Sequence, residues 1–204
     1  MDRREQLRKV VLRLLLLGCL ASPSSADELT SCFAGTGRDA VVACTKAIEG
    51  QPKLARLYFQ RGLAWSSIGM RQLADDDMSA AISLKRDEYG YSKARCLNRI
   101  TLGRHSQALE DCDRAVYLNR FDLTSRNNRA WALVQLRRPR EGLEDIEIAL
   151  EAEPDNWAFL DTRGHIFEAI GEREKAIADF RRVLSIKPDT RESIEALARL
   201  GASP

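Results

Sequence analysis

The sequence predicts an all-α fold, an α-solenoid in which pairs of antiparallel helices stack side by side. Three observations lead there. Four consecutive segments begin at Ala55, Tyr89, Leu123 and Trp157, each 34 residues after the last and without insertion. Small residues recur in register: Gly62, Cys96, Ala130 and Gly164 at the eighth position, Ala74, Ala108, Gly142 and Ala176 at the twentieth, and Ala81, Ala115, Ala149 and Val183 at the twenty-seventh. A hydrophobic content of 44% with 30% charged residues fits a folded, helix-rich chain. Small side chains are needed where helix axes approach closely. The larger knobs fall at the twenty-fourth position, as Met78, Cys112, Ile146 and Phe180. A single helix pair cannot bury its apolar stripe alone, so only a stacked series is stable.

The N-terminal residues read as an export signal. Arg3, Arg4, Arg8, Lys9 and Arg13 precede an apolar run over residues 14–21, then Ser22, Pro23, Ser24, Ser25 and Ala26. Small residues at Ser24 and Ala26 suit a signal peptidase, leaving Asp27 as the new N-terminus. The apolar run is shorter than the ~20 residues a bilayer span needs. Leu16-Leu17-Gly18-Cys19 gives an alternative, a lipid tether on Cys19, and Arg3-Arg4 gives a weaker one, a twin-arginine signal. Ordinary secretion to a periplasmic location is the expectation adopted.

Residues 27–54 form an N-terminal cap. The stretch from Asp27 to Cys32 is polar, a lead-in or the remnant of a helix, and Gly35-Thr36-Gly37 breaks it. Ala40, Cys44, Ala47 and Pro52 then fall on the second-helix positions of the repeat, making a half-repeat with its first helix eroded. The full units occupy residues 55–88, 89–122, 123–156 and 157–190. Beyond Pro188, Ile194, Leu197 and Ala198 share one face of a short capping helix, and residues 201–204 fray.

In the last unit Leu160, Gly164, Phe167, Gly171, Ala176, Phe180, Val183 and Pro188 resemble the tetratricopeptide signature, W-x2-L-G-x2-Y…A-x3-F…P. The resemblance runs over residues 39–200 and extends to short exported bacterial members of that family. It implies a right-handed superhelix and a protein-interaction role, without naming the partner. Two departures stand out: Arg99 replaces an aromatic at the eleventh position, and Arg86 and Arg120 replace the closing Pro.

A second repeat is charged. The seventh position is Arg61, Arg95, Arg129 and Arg163, where the signature has Leu; the twenty-third is Asp77, Asp111, Asp145 and Asp179. In an antiparallel hairpin that turns near the fifteenth position, the seventh and twenty-third positions lie opposite each other. An Arg–Asp pair is therefore expected within each unit, reaching toward the next, with a scaffolding rather than catalytic role. Arg suits such half-buried pairing through its planar fork of donors.

Without Cys19, four cysteines remain: Cys32, Cys44, Cys96 and Cys112. An even count in an exported chain favours disulfides. A Cys32–Cys44 bridge would close a local loop and staple the cap. The same opposition rule sets Cys96 against Cys112, either as a bridge or as two unbridged small core residues.

Charge and motifs argue against other classes. Residues 1–26 carry a net +3, so the body carries −1 against +2 for the whole chain, with no basic footprint for nucleic acid. No Cys-x-x-Cys, Gly-rich phosphate loop or His-Glu-x-x-His occurs. His105 and His165 fall in different units, His105 in a turn expected to be exposed; the run Asp75-Asp76-Asp77 reads as a solvated face plus the Asp77 pair. No enzyme activity, cofactor or metal is expected.

The resemblance places partner binding in a concave groove lined by first helices. Its ninth positions are Leu63, Leu97, Trp131 and His165; its fifth are Phe59, Lys93, Asn127 and Asp161; its twelfth include Ile100, Val134 and Glu168. Phe59, Leu63, Leu97, Ile100, Trp131 and Val134 would make an apolar strip with Trp131 as anchor. A neighbouring subunit or the C-terminal helix would be the alternative occupant. The Lys/Asn clamp of chaperone-binding members is missing, since Phe59 and Leu63 stand at its positions in the first unit. Two other roles stand beside an envelope scaffold or adaptor: a thiol-redox partner using Cys96 and Cys112, and self-assembly through the groove.

Overall fold

A computed structural model describes residues 25–204. The expected signal lies outside them up to residue 24, including Cys19. Eleven α-helices and no strand occur among the described residues. They are α1 Ser25–Ala34, α2 Gly37–Gly50, α3 Ala55–Ser67, α4 Arg71–Leu84, α5 Tyr89–Thr101, α6 His105–Leu118, α7 Leu123–Gln135, α8 Leu143–Ala152, α9 Trp157–Ile170, α10 Arg173–Ile186 and α11 Arg191–Arg199. Each helix packs on the next along the chain. The array is the expected α-solenoid.

The ends differ from expectation in detail. The eroded helix of the cap is a ten-residue α-helix, α1, packed on α2. At the other end α11 begins 34 residues after α9 and stacks on α10 as the first helix of a further unit. Ser193 donates to Asp161 (2.7 Å) and Arg199 donates from Nε and Nη2 to both Glu168 oxygens (3.0 Å each), which ties α11 to α9.

Small residues stand where backbones meet. A Cβ added to Gly142 would lie 2.9 Å from the Ala130 Cα, so the eighth and twentieth positions of that unit touch directly. The turn between paired helices needs a left-handed residue: Gly69, Gly103 and Gly171 have φ of 81°, 72° and 85°. The third unit puts Arg137 there, at φ 61°. A Cβ in that region costs roughly 1–2 kcal/mol. The same unit starts its second arm with a 3-10 turn, Pro139–Gly142, before α8.

The repeated charges rivet the stack. In all four units Arg donates from Nε and Nη2 to both oxygens of its Asp: Arg61 to Asp77 (2.7 and 2.8 Å), Arg95 to Asp111 (2.9 and 2.6 Å), Arg129 to Asp145 (2.5 and 2.7 Å), Arg163 to Asp179 (2.8 and 2.7 Å). In the first three units the third nitrogen reaches the preceding element of the stack, not the following one. Arg61 Nη1 donates to Thr45 (3.1 Å), Arg95 Nη1 to Ser79 (2.9 Å), and Arg129 Nη1 lies 3.4 Å from Asp113. Those acceptors share the twenty-fifth register position. One planar guanidinium thus joins two helices of its own unit to the second helix before it. The hydrogen bond each donates to its partner Asp holds Arg61, Arg129 and Arg163 above the usual guanidinium pKa.

Candidate functional site

The groove-forming side chains do not make one open apolar strip. Leu63 and Leu97 are exposed, at 38% and 52%. Phe59 is half-buried, its ring 4.6 Å from that of Tyr91 in the next unit. Trp131 is half-buried against the His165 ring at 5.2 Å, and His165 in turn lies 5.0 Å from Phe180. Val134 packs on the core of the third unit, and Ile100 is half-buried. The open part of the ladder is therefore Leu63 and Leu97, with half-buried rings at either end. The interlocked rings exist because stacking brings the fifth position of one unit against the third of the next, and ninth against ninth, contacts that single-unit patterning does not reveal.

Polar groove residues are mostly engaged. Lys93 pairs with Asp122 (3.3 Å), which also caps α7 by accepting from the Ser125 N–H (2.9 Å). Burial raises the Asp122 carboxyl, but the Ser125 hydrogen bonds and Lys93 outweigh it, and its pKa is lowered. Asp161 accepts from Ser193, and His165 lies between Asp161 (3.7 Å) and Glu168 (3.3 Å). Burial likewise raises Glu168, while the bonds from Arg199 bring it below the ordinary carboxylate value. Asn127 differs: its Oδ1 is buried without a hydrogen-bond partner.

Two readings of single residues need correcting. Asp75 is not on a solvated face; only Asp76 of that run is exposed. Asp75 is 5% exposed and receives Arg99 (2.8 Å) and Arg104 (3.4 Å) from the next unit. Arg99 also reaches Asp111 (3.0 Å), so the residue that replaces the expected aromatic bridges two units through carboxylates. His105 opens α6 half-buried, with Nδ1 lacking a partner, rather than lying exposed in a turn. The sequence signal for the first correction was available: Arg99 and Asp75 are the only charged pair at their register positions in adjacent units.

The cysteines meet in pairs. Cα atoms of Cys32 and Cys44 are 4.6 Å apart and those of Cys96 and Cys112 are 5.3 Å apart, each pair joined through sulfur. All four residues are fully buried. Among the described residues no group of three or more His, Cys, Asp or Glu side chains is placed to hold a metal ion, and no helix is long and apolar enough to cross a membrane.

Comparison with known proteins agrees with this architecture. A profile of the tetratricopeptide repeat matches residues 159–190. Mouse sperm-associated antigen 1 (Mus musculus) is 40% identical over 63 residues, 31% of this chain and 7% of that protein. The TPR repeat-containing thioredoxin TDX of Arabidopsis thaliana is 28% identical over 94 residues, 46% of this chain and 25% of that one. The chain thus spans a quarter or less of these relatives. Among solved structures, YrrB, described as a TPR protein with an unusual peptide-binding site, superposes with a TM-score of 0.68 at 22% identity, covering 78% of this chain and 82% of its own. MamA does so with a TM-score of 0.65 at 17% identity, covering 79% and 90%. The class is a helical repeat solenoid. Within it, residues 159–190 match the tetratricopeptide repeat.

Proposed function

We propose that this chain is a scaffold or adaptor of the bacterial cell envelope that holds an extended peptide or a partner's helix in the first-helix groove. The observation that carries this reading is the pair of exposed leucines, Leu63 and Leu97, on adjacent units of a stiffly riveted array. Their half-buried flanks, Phe59 and Trp131, would close over an apolar side chain. Rigid helices lower the ordering cost of binding.

Export and disulfide staples belong to the same reading. Full burial of all four cysteines favours inert bridges over a thiol-exchange role, because an exchanging sulfur must be reached by an attacking thiolate. N-terminal sequencing of protein recovered from the periplasm tests export: a start at Asp27 is expected, and a lipid-modified Cys19 would replace that expectation.

The test of the groove is site-specific photocrosslinking from Leu97 in living cells, repeated with Trp131→Ala and Leu63→Asp. One dominant partner segment is expected from Leu97, and its yield should fall several-fold in both variants while helical circular dichroism is kept. Crosslinks that ignore both substitutions would remove the groove from the mechanism.

A further inference from the structure

Repetition supplies an internal control: where one unit departs from its three siblings on the surface, the scaffold has no need of the departure. The second unit departs most sharply at two positions. At the twenty-ninth, Ser83, Glu151 and Ser185 stand where it has Tyr117; at the thirty-third, Asp87, Asp155 and Asp189 stand where it has Phe121. Both rings are almost wholly exposed, Tyr117 at 80% and Phe121 at 78%, the highest among the exposed large apolar residues. They lie at the end of α6 and in the loop after it, away from the first helices that line the groove.

Each ring carries its own guanidinium: Arg114 sits 5.8 Å from the Tyr117 centroid and Arg120 sits 5.0 Å from that of Phe121. Arg114 also reaches the Arg86 carbonyl at 3.5 Å, which brings Arg86 to the same patch. None of Arg86, Arg114 and Arg120 has a carboxylate partner among the described residues, in a protein whose other arginines are widely paired. Beside Phe121 opens a cavity of about 660 Å³ lined by Leu123, Ile148 and Ala152 together with Arg120, Arg126 and Glu151.

We infer that this patch is a second docking surface, and that its occupant is an acidic protein segment carrying a bulky apolar side chain. The apolar side chain would enter the cavity against Phe121, and carboxylates around it would pair with the unpartnered arginines. Exposed aromatics with arginine are the side chains that anchor interfaces. A flat anionic membrane is the poorer match: a bilayer does not fill a cavity, and the body's net charge of −1 provides no long-range attraction to it.

The test uses the whole protein and a displayed library of twelve-residue peptides. The comparison variant is Tyr117→Ser with Phe121→Asp, residues the sibling units already tolerate. Selected peptides should hold Asp or Glu around an aromatic or aliphatic residue. They should bind the double variant about ten-fold or more weakly, weaken again in Arg114→Glu, lose affinity in salt, and bind the groove variant Leu97→Asp unchanged. Loss in Leu97→Asp alone would assign them to the groove and overturn the proposal. Neutral or basic peptides, equal binding by the double variant, Tyr117-dependent retention on phosphatidylglycerol vesicles without peptide binding, or Tyr117-dependent dimerisation in light scattering would each overturn it as well.

Discussion

The two halves of the array reach the same architecture with different chemistry. From α1 to α6 the buried core is thin: the fully buried residues there include Cys32, Cys44, Ala74, Ala81, Cys96, Ala108 and Cys112, and few large apolar side chains. Two sulfur bridges and the buried Arg99–Asp75–Asp111 network fill the gap. From α7 to α11 the core is aliphatic and aromatic, with Ile146, Leu150, Phe159, Leu160, Ile166, Phe180, Val183 and Leu197 buried. A repeat fold therefore sets helix spacing through its small positions and leaves open what fills the layer between. In the first half that filling depends on oxidation and ion pairing; in the second it depends on burial.

The sharpest way to break this comparison is at the shared knob position. Phe180→Ala should cost about 3–5 kcal/mol in urea denaturation, since Phe180 is fully buried under His165 and the Gly164 backbone. Met78→Ala in the first half should cost less, about 2–3 kcal/mol. Equal losses would mean that the halves share one kind of core. Charge removal should show the reverse order. Asp111→Ala strands Arg95 and takes from Arg99 one of its two carboxylates, and should cost about 3–4 kcal/mol, whereas Asp179→Ala strands only Arg163, itself 28% exposed, and should cost about 2.

Smaller effects sharpen the picture at the third and fourth units. Arg137→Gly should raise stability by about 0.5–1 kcal/mol, because the left-handed turn that Gly69, Gly103 and Gly171 make freely is strained there. The docking of α11 should depend weakly on pH. Glu168 has a folded pKa below its reference value of 4.5, so its contribution is fully present above that value and fades as pH falls through the lower, folded one. Hydrogen exchange of α11 amides should therefore speed up selectively as pH is lowered below the reference value of 4.5, after correction for intrinsic rates, and Glu168→Gln should flatten that response.

Much of the fold was legible because it repeats. Four Arg–Asp pairs at fixed register, the small residues at the helix crossings and the facing of Cys96 with Cys112 all follow from a period and a turn position. What was not legible lies between units. Whether Trp131 stands open or leans on His165, and whether Phe59 is free or stacked on Tyr91, depends on the rotation of one unit against the next. Asp75 was misread for the same reason: its partner Arg99 belongs to the following unit. The direction in which each Arg reaches was also hidden, although the polar residues at Thr45, Ser79 and Asp113 mark it once the stack is seen.

Bridges that close loops of 12 and 16 residues should each contribute about 3 kcal/mol, and both lie in the first half. Because a solenoid's stability is nearly a sum over neighbouring units, losing them should loosen that half locally. Hydrogen exchange read by mass spectrometry, with and without full reduction of the denatured and refolded chain, measures this directly. Reduction is expected to strip protection from α1–α6 while α8–α10 keep theirs. Uniform loss along the whole array, or none anywhere, would contradict a scaffold stabilised by different means at its two ends.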